Sequence, residues 1–395
     1  MQFGTFSFNR VEFAGSLGDL GTLIPLSVAL IILNGLSVTA VFLMVGLFYI
    51  ASGLYFKLPL PVQPLKVVSA IAIAFPLKIT ASVIAASGMI FGVVLLLLAF
   101  TGLIDWLARF FTKPIVRGIQ LGLGLILITR GIEYIRTPAM FIQQTESTFS
   151  LMGFPINPII GISGGIITLL LLGSKRFPAS LVIVCGGIII GILSGSLSGI
   201  NFALGPTAIG FISPTLADFH TAAILLVIPQ IPLTLGNAII STSDTCRSLF
   251  GDNSTTRRVS NRALATSMGL INLLTSVIAG MPMCHGAGGL AAHHRFGARN
   301  GGSNLMIGLI FLVIALVFGT IGISLLMSVP NAVLGILLLF AGLELALLIR
   351  DLTEKNDLFI TLLVAAVGFA TTNMGLAFLI GILVHFMIRR VKIKL

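Results

Sequence analysis

Apolar runs of roughly twenty residues follow one another along almost the whole of this chain, with little polar sequence between them. Each such run matches the hydrocarbon thickness of a bilayer, about 20 residues of helix. The 395 residues are 56% hydrophobic and 9% charged, with a mean hydropathy of +1.12. A soluble globule of this size cannot hide so much apolar surface. The expected fold class is therefore an all-α polytopic membrane protein, with the lipid bilayer as its solvent and no sizeable soluble domain. Residues 1–12 are polar and mixed, and the first apolar stretch runs past Pro25 without a small-residue cleavage site, so it reads as a first span rather than a signal peptide. The net charge of +11 would suggest nucleic acid in a soluble protein, but here the basic residues gather in particular loops and no nucleic-acid partner is expected. Cys185, Cys246 and Cys284 are scattered and odd in number, which fits neither a disulfide framework nor a metal cluster; no cofactor is expected.

Hydropathy and helix breakers place spans near 14–34, 39–56, 64–76, 81–104, 115–135, 157–173, 178–195, 219–243, 262–279, 285–296, 303–327, 331–349, 357–371 and 373–390. The third and tenth are too short to cross alone. Seven spans per half is an odd number, so a repeated unit must insert in opposite orientations, giving an inverted repeat of residues 1–195 and 196–395. Charge agrees, because cytoplasmic loops should be rich in Lys and Arg. With Arg10 inside, each even-numbered span is followed by basic residues: Lys57; Arg109 and Lys113; Lys175 and Arg176; Arg247, Arg257, Arg258 and Arg262; Arg295 and Arg299; Arg350 and Lys355; and Arg389, Arg390, Lys392 and Lys394. The opposite loops carry little beyond Lys78, Arg136, Glu146 and Asp218. Both termini are expected in the cytoplasm, and the chain in the cell (inner) membrane.

Two short broken segments stand at corresponding depths of the halves: Pro59-Leu-Pro-Val-Gln-Pro-Leu-Lys66 and Met281-Pro-Met-Cys-His-Gly-Ala-Gly-Gly289. Paired Gly/Pro-interrupted segments of this kind mark substrate sites at the bilayer midplane in secondary transporters. Each reads as an extended approach followed by a helix start, where unpaired N–H groups and a partial positive charge face outward. Two opposed helix starts make an anion site. The candidates are Gln63, Pro64, Leu65 and Lys66 from one segment and His285, Gly286 and Ala287 from the other. Lys66 has an alternative reading as a lysine snorkelling to the surface. In the eighth span, where Pro229 and Pro232 mark a break, Gln230, Thr234 and Asn237 offer neutral donors at helical spacing; helix–helix bonding is their alternative use. Spans one, three, eight and ten should surround the cavity that such breaks require. Asp19, in Gly18-Asp-Leu-Gly21-Thr22, is an intramembrane acid and hence a functional candidate: a coupling proton site, a partner of Lys66, or a cap on the Gly18–Gly21 break. Arg130 and Glu133, at i and i+3, read as a self-contained ion pair.

The stretches "GDLGTLIPL", "LPVQPLK", "PQIPLTLGNAIISTSD" and "MPMCHGAGGLAAHHRFGARNGG", in this order, resemble the molybdate transporter family, a branch related to the sulfate permease group. The resemblance spans nearly the whole chain. It implies a seven-plus-seven inverted repeat, with a core domain of spans 1–4 and 8–11 and a gate domain of spans 5–7 and 12–14. It also implies a homodimer and uptake of molybdate, with sulfate or tungstate as competitors. Sulfate permeases add a C-terminal regulatory domain; none is expected in a sequence that ends at Leu395. Nucleobase carriers of similar architecture use acidic side chains on spans eight and ten, where this chain offers Gln230, Thr234, Asn237 and His285 instead. Uncharged donors suit an anion better, since a carboxylate would repel it.

The resulting expectation is a secondary active transporter of a tetrahedral oxyanion, molybdate first and sulfate second, with a proton as co-substrate at Asp19. A passive anion channel is the rival of another class. A metalloenzyme built on Cys284, His285, His293 and His294 fits poorly, because these spacings are unlike the close ligand pairs of metal sites.

Overall fold

A computed structural model describes residues 2–3, 6–104, 112–141, 150–151, 154–172, 174, 179–194 and 203–391. Arg109, Glu146, Lys175, Arg176, Lys392 and Lys394, and the junction at 195–196 drawn between the halves, lie outside the described residues.

The chain is built from helices that coincide with the expected apolar runs. Helix α1 (Arg10–Ser16) meets α2 (Leu20–Asn34) at 46° across Leu17–Asp19. Helix α3 (Val38–Phe56) starts where the Ser37 side chain accepts from the Ala40 N–H, and ends on Lys57 at φ 59°. Strand β1 (Gln63–Pro64) leads into α4 (Lys66–Ala74). Then follow α5 (Ala81–Thr101), capped by Thr80; α6 (Lys113–Arg136), with Pro114 in its first turn; α7 (Ile156–Leu171); and α8 (Ala179–Leu193). The second half begins with the long helix α9 (Leu216–Phe250), followed by α10 (Asn261–Val277). Strand β2 (Met283–Cys284) leads into α11 (Ala287–Arg295). The remainder is α12 (Gly302–Val317), α13 (Gly319–Met327), α14 (Asn331–Ala346), α15 (Lys355–Thr371) and α16 (Met374–Val391). Among the described residues five helices are long and apolar enough to cross a bilayer, and seven spans result if the bent pairs α1–α2 and α12–α13 each count as one.

Two of these elements differ from the sequence expectation. Pro229 and Pro232 do not break the eighth span. The helix runs on through both, with wide π-type turns over Ala223–Val227 and Thr234–Ser241 on either side. Such turns absorb the hydrogen bonds a proline forfeits. The eleventh span, expected as one run over 303–327, bends by 87° at Phe318, where Gly319 packs so tightly on the Thr39 side chain and the Pro206–Thr207 backbone that no side chain fits.

Helix pairs cross at glycines. Gly124 meets Gly342 and Gly131 meets Gly335 between α6 and α14, where a Cβ on any of the four would lie 2.5–2.6 Å from the facing carbonyl oxygen. Gly46 and Gly308 do the same for α3 and α12, and Gly92 and Gly269 for α5 and α10. With lipid as solvent, close backbone approach of this kind, rather than a hydrophobic effect between helices, holds a bundle together.

Candidate functional site

Strands β1 and β2 pair antiparallel, Gln63 with Cys284 and Pro64 with Met283. Helices α4 and α11 therefore start from opposite ends of this short ladder and run apart. Each has nine residues, about 14 Å long and half the thickness of the hydrocarbon core.

The extended run before α4 is irregular backbone at membrane depth, and its carbonyls need donors. Side chains from three helices, and His285 from the turn between β2 and α11, supply them. His293 Nδ1 is 2.9 Å from Pro59 O, Asn304 Nδ2 donates to Leu60 O at 2.7 Å, His285 Nδ1 is 2.8 Å from Pro61 O, and the Tyr49 hydroxyl donates to Val62 O at 3.4 Å. A carbonyl only accepts, so both histidines carry their proton on Nδ1. Asn272 grips the second strand with both ends of its amide, donating to Met283 O and accepting from Met283 N, each at 2.8 Å. His285 and Asn272 thus build the site's frame.

The two helix starts are treated differently. At α4 the Leu65 N–H donates to Pro282 O at 2.9 Å. Gln230 Oε1 accepts from Val67 N at 2.9 Å and Val68 N at 3.4 Å, while Gln230 Nε2 donates to Thr234 Oγ1 at 2.9 Å. Gln230 and Thr234, both buried, therefore cap α4. At α11 the first-turn N–H groups of Ala287, Gly288 and Gly289 have no partner among the described residues.

Asp19 lies at the α1–α2 bend, buried against that uncapped start. Gln63 Nε2 is 2.8 Å from both of its carboxylate oxygens, and the Thr22 backbone N–H donates to the Asp19 carbonyl at 3.0 Å. No ion pair joins it to Lys66 among the described residues. Glycine makes the approach feasible: a Cβ on Gly289 would lie 2.7 Å from Asp19 Oδ2, Gln63 Nε2 and Pro61 Cβ, and one on Gly18 would lie 2.9 Å from Ala292 O. The other end of the Gln63 amide, Oε1, is buried without a partner and lies against Gly286, where the half-buried Asn237 Nδ2 also approaches.

A cavity of about 760 Å³ opens from this point. Asp19, Gln63, Lys66, Gly288 and Gly289 form one wall together with Gly18, Gly21 and Thr22; α6, α7, α8 and α14, including Ser180 and Glu344, form the other. Gln230, Thr234 and Asn237 do not line it, so α9 stands behind the wall rather than in it. Gly288 and Gly289 belong to the broken segment that the sequence marked, whereas Ser180 is a lining residue that sequence reasoning did not single out. Arg130 Nη1 donates to Glu133 Oε2 at 2.7 Å, the local pair their spacing implied.

A cavity between two groups of membrane helices, with one wall offering free N–H groups, an amide and a lysine, suits a small anion. The fold agrees. With the structure titled "murine Solute Carrier 26 family member A9 (Slc26a9) anion transporter in the inward-facing state", the TM-score is 0.71 at 16% identity, covering 100% of this chain and 70% of that one. The transmembrane domain of "a cyanobacterium bicarbonate transporter BicA" gives 0.64 at 15% identity, covering 95% and 96%. The chain is an integral, multi-pass membrane protein with a transporter fold. Its residues 11–127 and 222–345 match the family model described as "Molybdate transporter of MFS superfamily". "Molybdate transporter 2" of Arabidopsis thaliana is 30% identical over 409 residues, covering 96% of this chain and 87% of that protein. "Molybdate transporter 1" of Chlamydomonas reinhardtii is 27% identical over 473 residues, covering 94% and 90%. The chain belongs to the molybdate transporter family, related to the sulfate permeases.

Proposed function

We propose that this protein is a secondary active transporter that imports molybdate across the cell (inner) membrane by alternating access, with sulfate as the second substrate. The observation that carries the reading is the uncapped start of α11 at the inner end of the cavity, beside Gln63 and Lys66. The anion sits there on the N–H groups of Ala287, Gly288 and Gly289, with Lys66 supplying charge and Gln63 an amide donor, and with Asn237 reaching the same point beside Gly286 from behind the wall. Pro64, Leu65, Gln230, Thr234 and His285 hold the frame, since their polar groups are already engaged.

Several features support an inverted repeat of seven plus seven spans. Under that symmetry the α3–α12 pair exchanges with α10–α5, and both cross at a pair of glycines; α6–α14 and the β1–β2 ladder map onto themselves. The core would then be α1–α5 with α9–α13, and the gate α6–α8 with α14–α16. The cavity lies along the line between them. Cytoplasmic termini are supported by the basic loops, and homodimeric assembly by family resemblance.

Uptake of a dianion into a negative cell is opposed by about 2.3 kcal/mol per charge per 100 mV. Coupling to a proton at Asp19 offsets part of this. The test is uptake of labelled molybdate into proteoliposomes, with sulfate as competitor, for wild type, Gln63→Ala and Asp19→Asn. Saturable uptake that is lost in Gln63→Ala and loses its dependence on a pH gradient in Asp19→Asn is expected. Non-saturable flux would make the protein a channel, and uptake of sulfate alone would make it a sulfate permease.

A further inference from the structure

We infer that Gln63 is a positioning residue that reverses its amide when Asp19 takes up a proton, and so turns protonation into oxyanion binding. The inference rests on the site and the proton carrier proposed above. It comes from the two ends of one buried side chain. Gln63 is 1% exposed; its Nε2 faces both oxygens of Asp19 at 2.8 Å, and its Oε1 faces Gly286 without a partner.

An ionised carboxylate only accepts hydrogen bonds, so it must be met by the NH₂ end of the amide. That fixes the other end. The carbonyl oxygen, itself an acceptor, stands against Gly286 just before the start of α11, on the side that Asn237 Nδ2 approaches, where it presents negative partial charge to an arriving oxyanion. A protonated Asp19 has an O–H to donate, and the amide oxygen becomes its best partner. The two ends of a primary amide have nearly the same shape, so reversal needs no repacking. After reversal Nε2 joins Asn237 Nδ2 and the α11 N–H groups beside Gly286, and three kinds of donor converge on one point. The absence of a Cβ at Gly286 and Gly289 lets the amide lie flat against the first turn of α11 in either state.

The groups facing Asp19 leave this role to the amide. Lys66 of α4, Tyr49 of α3 and Cys284 of β2 act on it or are acted on by it through space. Glu344 of α14 stands across the cavity. The α11 surface turned to Asp19 is the backbone at Gly289, and His293 on that helix is bound to Pro59 O. Gln63 is the side chain in hydrogen-bond contact with Asp19 that also reaches the α11 start.

Through-space repulsion between an ionised Asp19 and the anion would also make binding pH-dependent, so the test must isolate the amide. Molybdate binding is measured on purified protein in nanodiscs at acid and alkaline pH for wild type, Asp19→Asn, Gln63→Met and the double variant. With one linked proton, wild-type affinity falls by up to about tenfold per pH unit above the titration of the site. Asp19→Asn binds tightly at every pH. Gln63→Met then costs about 10- to 100-fold where residue 19 is neutral, in acid or in the Asp19→Asn background, the loss of one hydrogen bond to an anion. It costs nothing in alkali, where the amide presents its oxygen. An equal cost at both pH values overturns the reversal while leaving Asp19 as the proton site. Persistence of the wild-type pH profile in Asp19→Asn removes the proton site itself, and the reversal with it. If Gln63→Met does not stay monodisperse, infrared difference spectra of wild type carrying glutamine ¹³Cδ give the answer. A pH step must shift one glutamine carbonyl band, and must shift none in Asp19→Asn; a silent wild-type spectrum overturns the inference.

Discussion

Replacing Gln230 by alanine separates a helix cap from a substrate contact, two roles that its position beside Thr234 and Asn237 does not distinguish. One oxygen of Gln230 accepts from Val67 N at 2.9 Å and from Val68 N at 3.4 Å, at a depth where Gln230 is 1% exposed. A buried donor left unpaired costs about 1–3 kcal/mol. The shorter bond counts in full, and the longer one, beyond the usual 3.2 Å range, counts as a fraction. Thr234 loses a donor but can turn its own hydroxyl to the carbonyl one turn back, and adds little. The expected loss is about 2–4 kcal/mol of stability, with the lower end reached if water enters the space vacated. Equilibrium unfolding in mixed micelles reads this, and calorimetric titration of the folded fraction with molybdate reads binding. Gln230→Ala should lose the stability and keep its affinity within about threefold, a change under 1 kcal/mol. Asn237→Ala, one helix segment away and half-buried, should do the reverse: stability within about 0.5 kcal/mol and affinity down about tenfold. A Gln230→Ala protein of native stability that no longer binds molybdate would refute the cap and return Gln230 to the substrate.

Adjacent glycines give a second contrast. Gly289→Ala would drive a methyl into Asp19, Gln63 and Pro61 and should abolish uptake, whereas Gly288→Ala meets nothing within 4 Å and should fold normally, with uptake kinetics showing only a raised KM. Lys66→Met removes the one cationic side chain on that wall of the cavity among the described residues; molybdate affinity should fall about tenfold, as for a lost charge-assisted bond, and the remaining binding should respond less to ionic strength. Gly342→Leu at the α6–α14 crossing, where even a Cβ would lie 2.6 Å from Gly124 O, should destabilise the fold by more than about 3 kcal/mol, the overpacking penalty at a rigid contact, and show as loss of monodisperse protein in size-exclusion chromatography.

Helix positions were legible because lipid imposes one rule, apolar side chains on satisfied backbone, that hydropathy reads directly. The short third and tenth segments were legible because proline and glycine mark where that rule is suspended. What spacing could not convey was facing. Gln230, Thr234 and Asn237 lie on one stripe only if the helix keeps a constant turn, and it does not over Thr234–Ser241; Gln230 meets the start of α4 while Asn237 approaches Gly286. The prolines that signalled a break lie between two π-type turns, over Ala223–Val227 and Thr234–Ser241. The bend at Phe318 was hidden because its cause is distant in sequence, the contact of Gly319 with Thr39 and Pro206. Glu12 was covered only by the reading of residues 1–12 as polar and mixed, yet it is buried and accepts from Arg299 N and Asn300 Nδ2. Its spacing after Asn9, whose side chain caps α1, was the available signal.

The head-to-head arrangement of α4 and α11 also has an electrical meaning. Their dipoles point at each other from the β1–β2 ladder, so along the membrane normal they oppose, and a core that shifts carries little helix charge through the field. On the proposed site, the charges that travel with it are Lys66, Asp19 and the anion. An empty site, with Lys66 charged and Asp19 ionised, is neutral. A site holding a dianion and one proton carries a single net negative charge. Voltage then acts on the loaded step alone, by about 2.3 kcal/mol per 100 mV if the whole field is crossed, and the empty carrier returns without sensing the membrane potential.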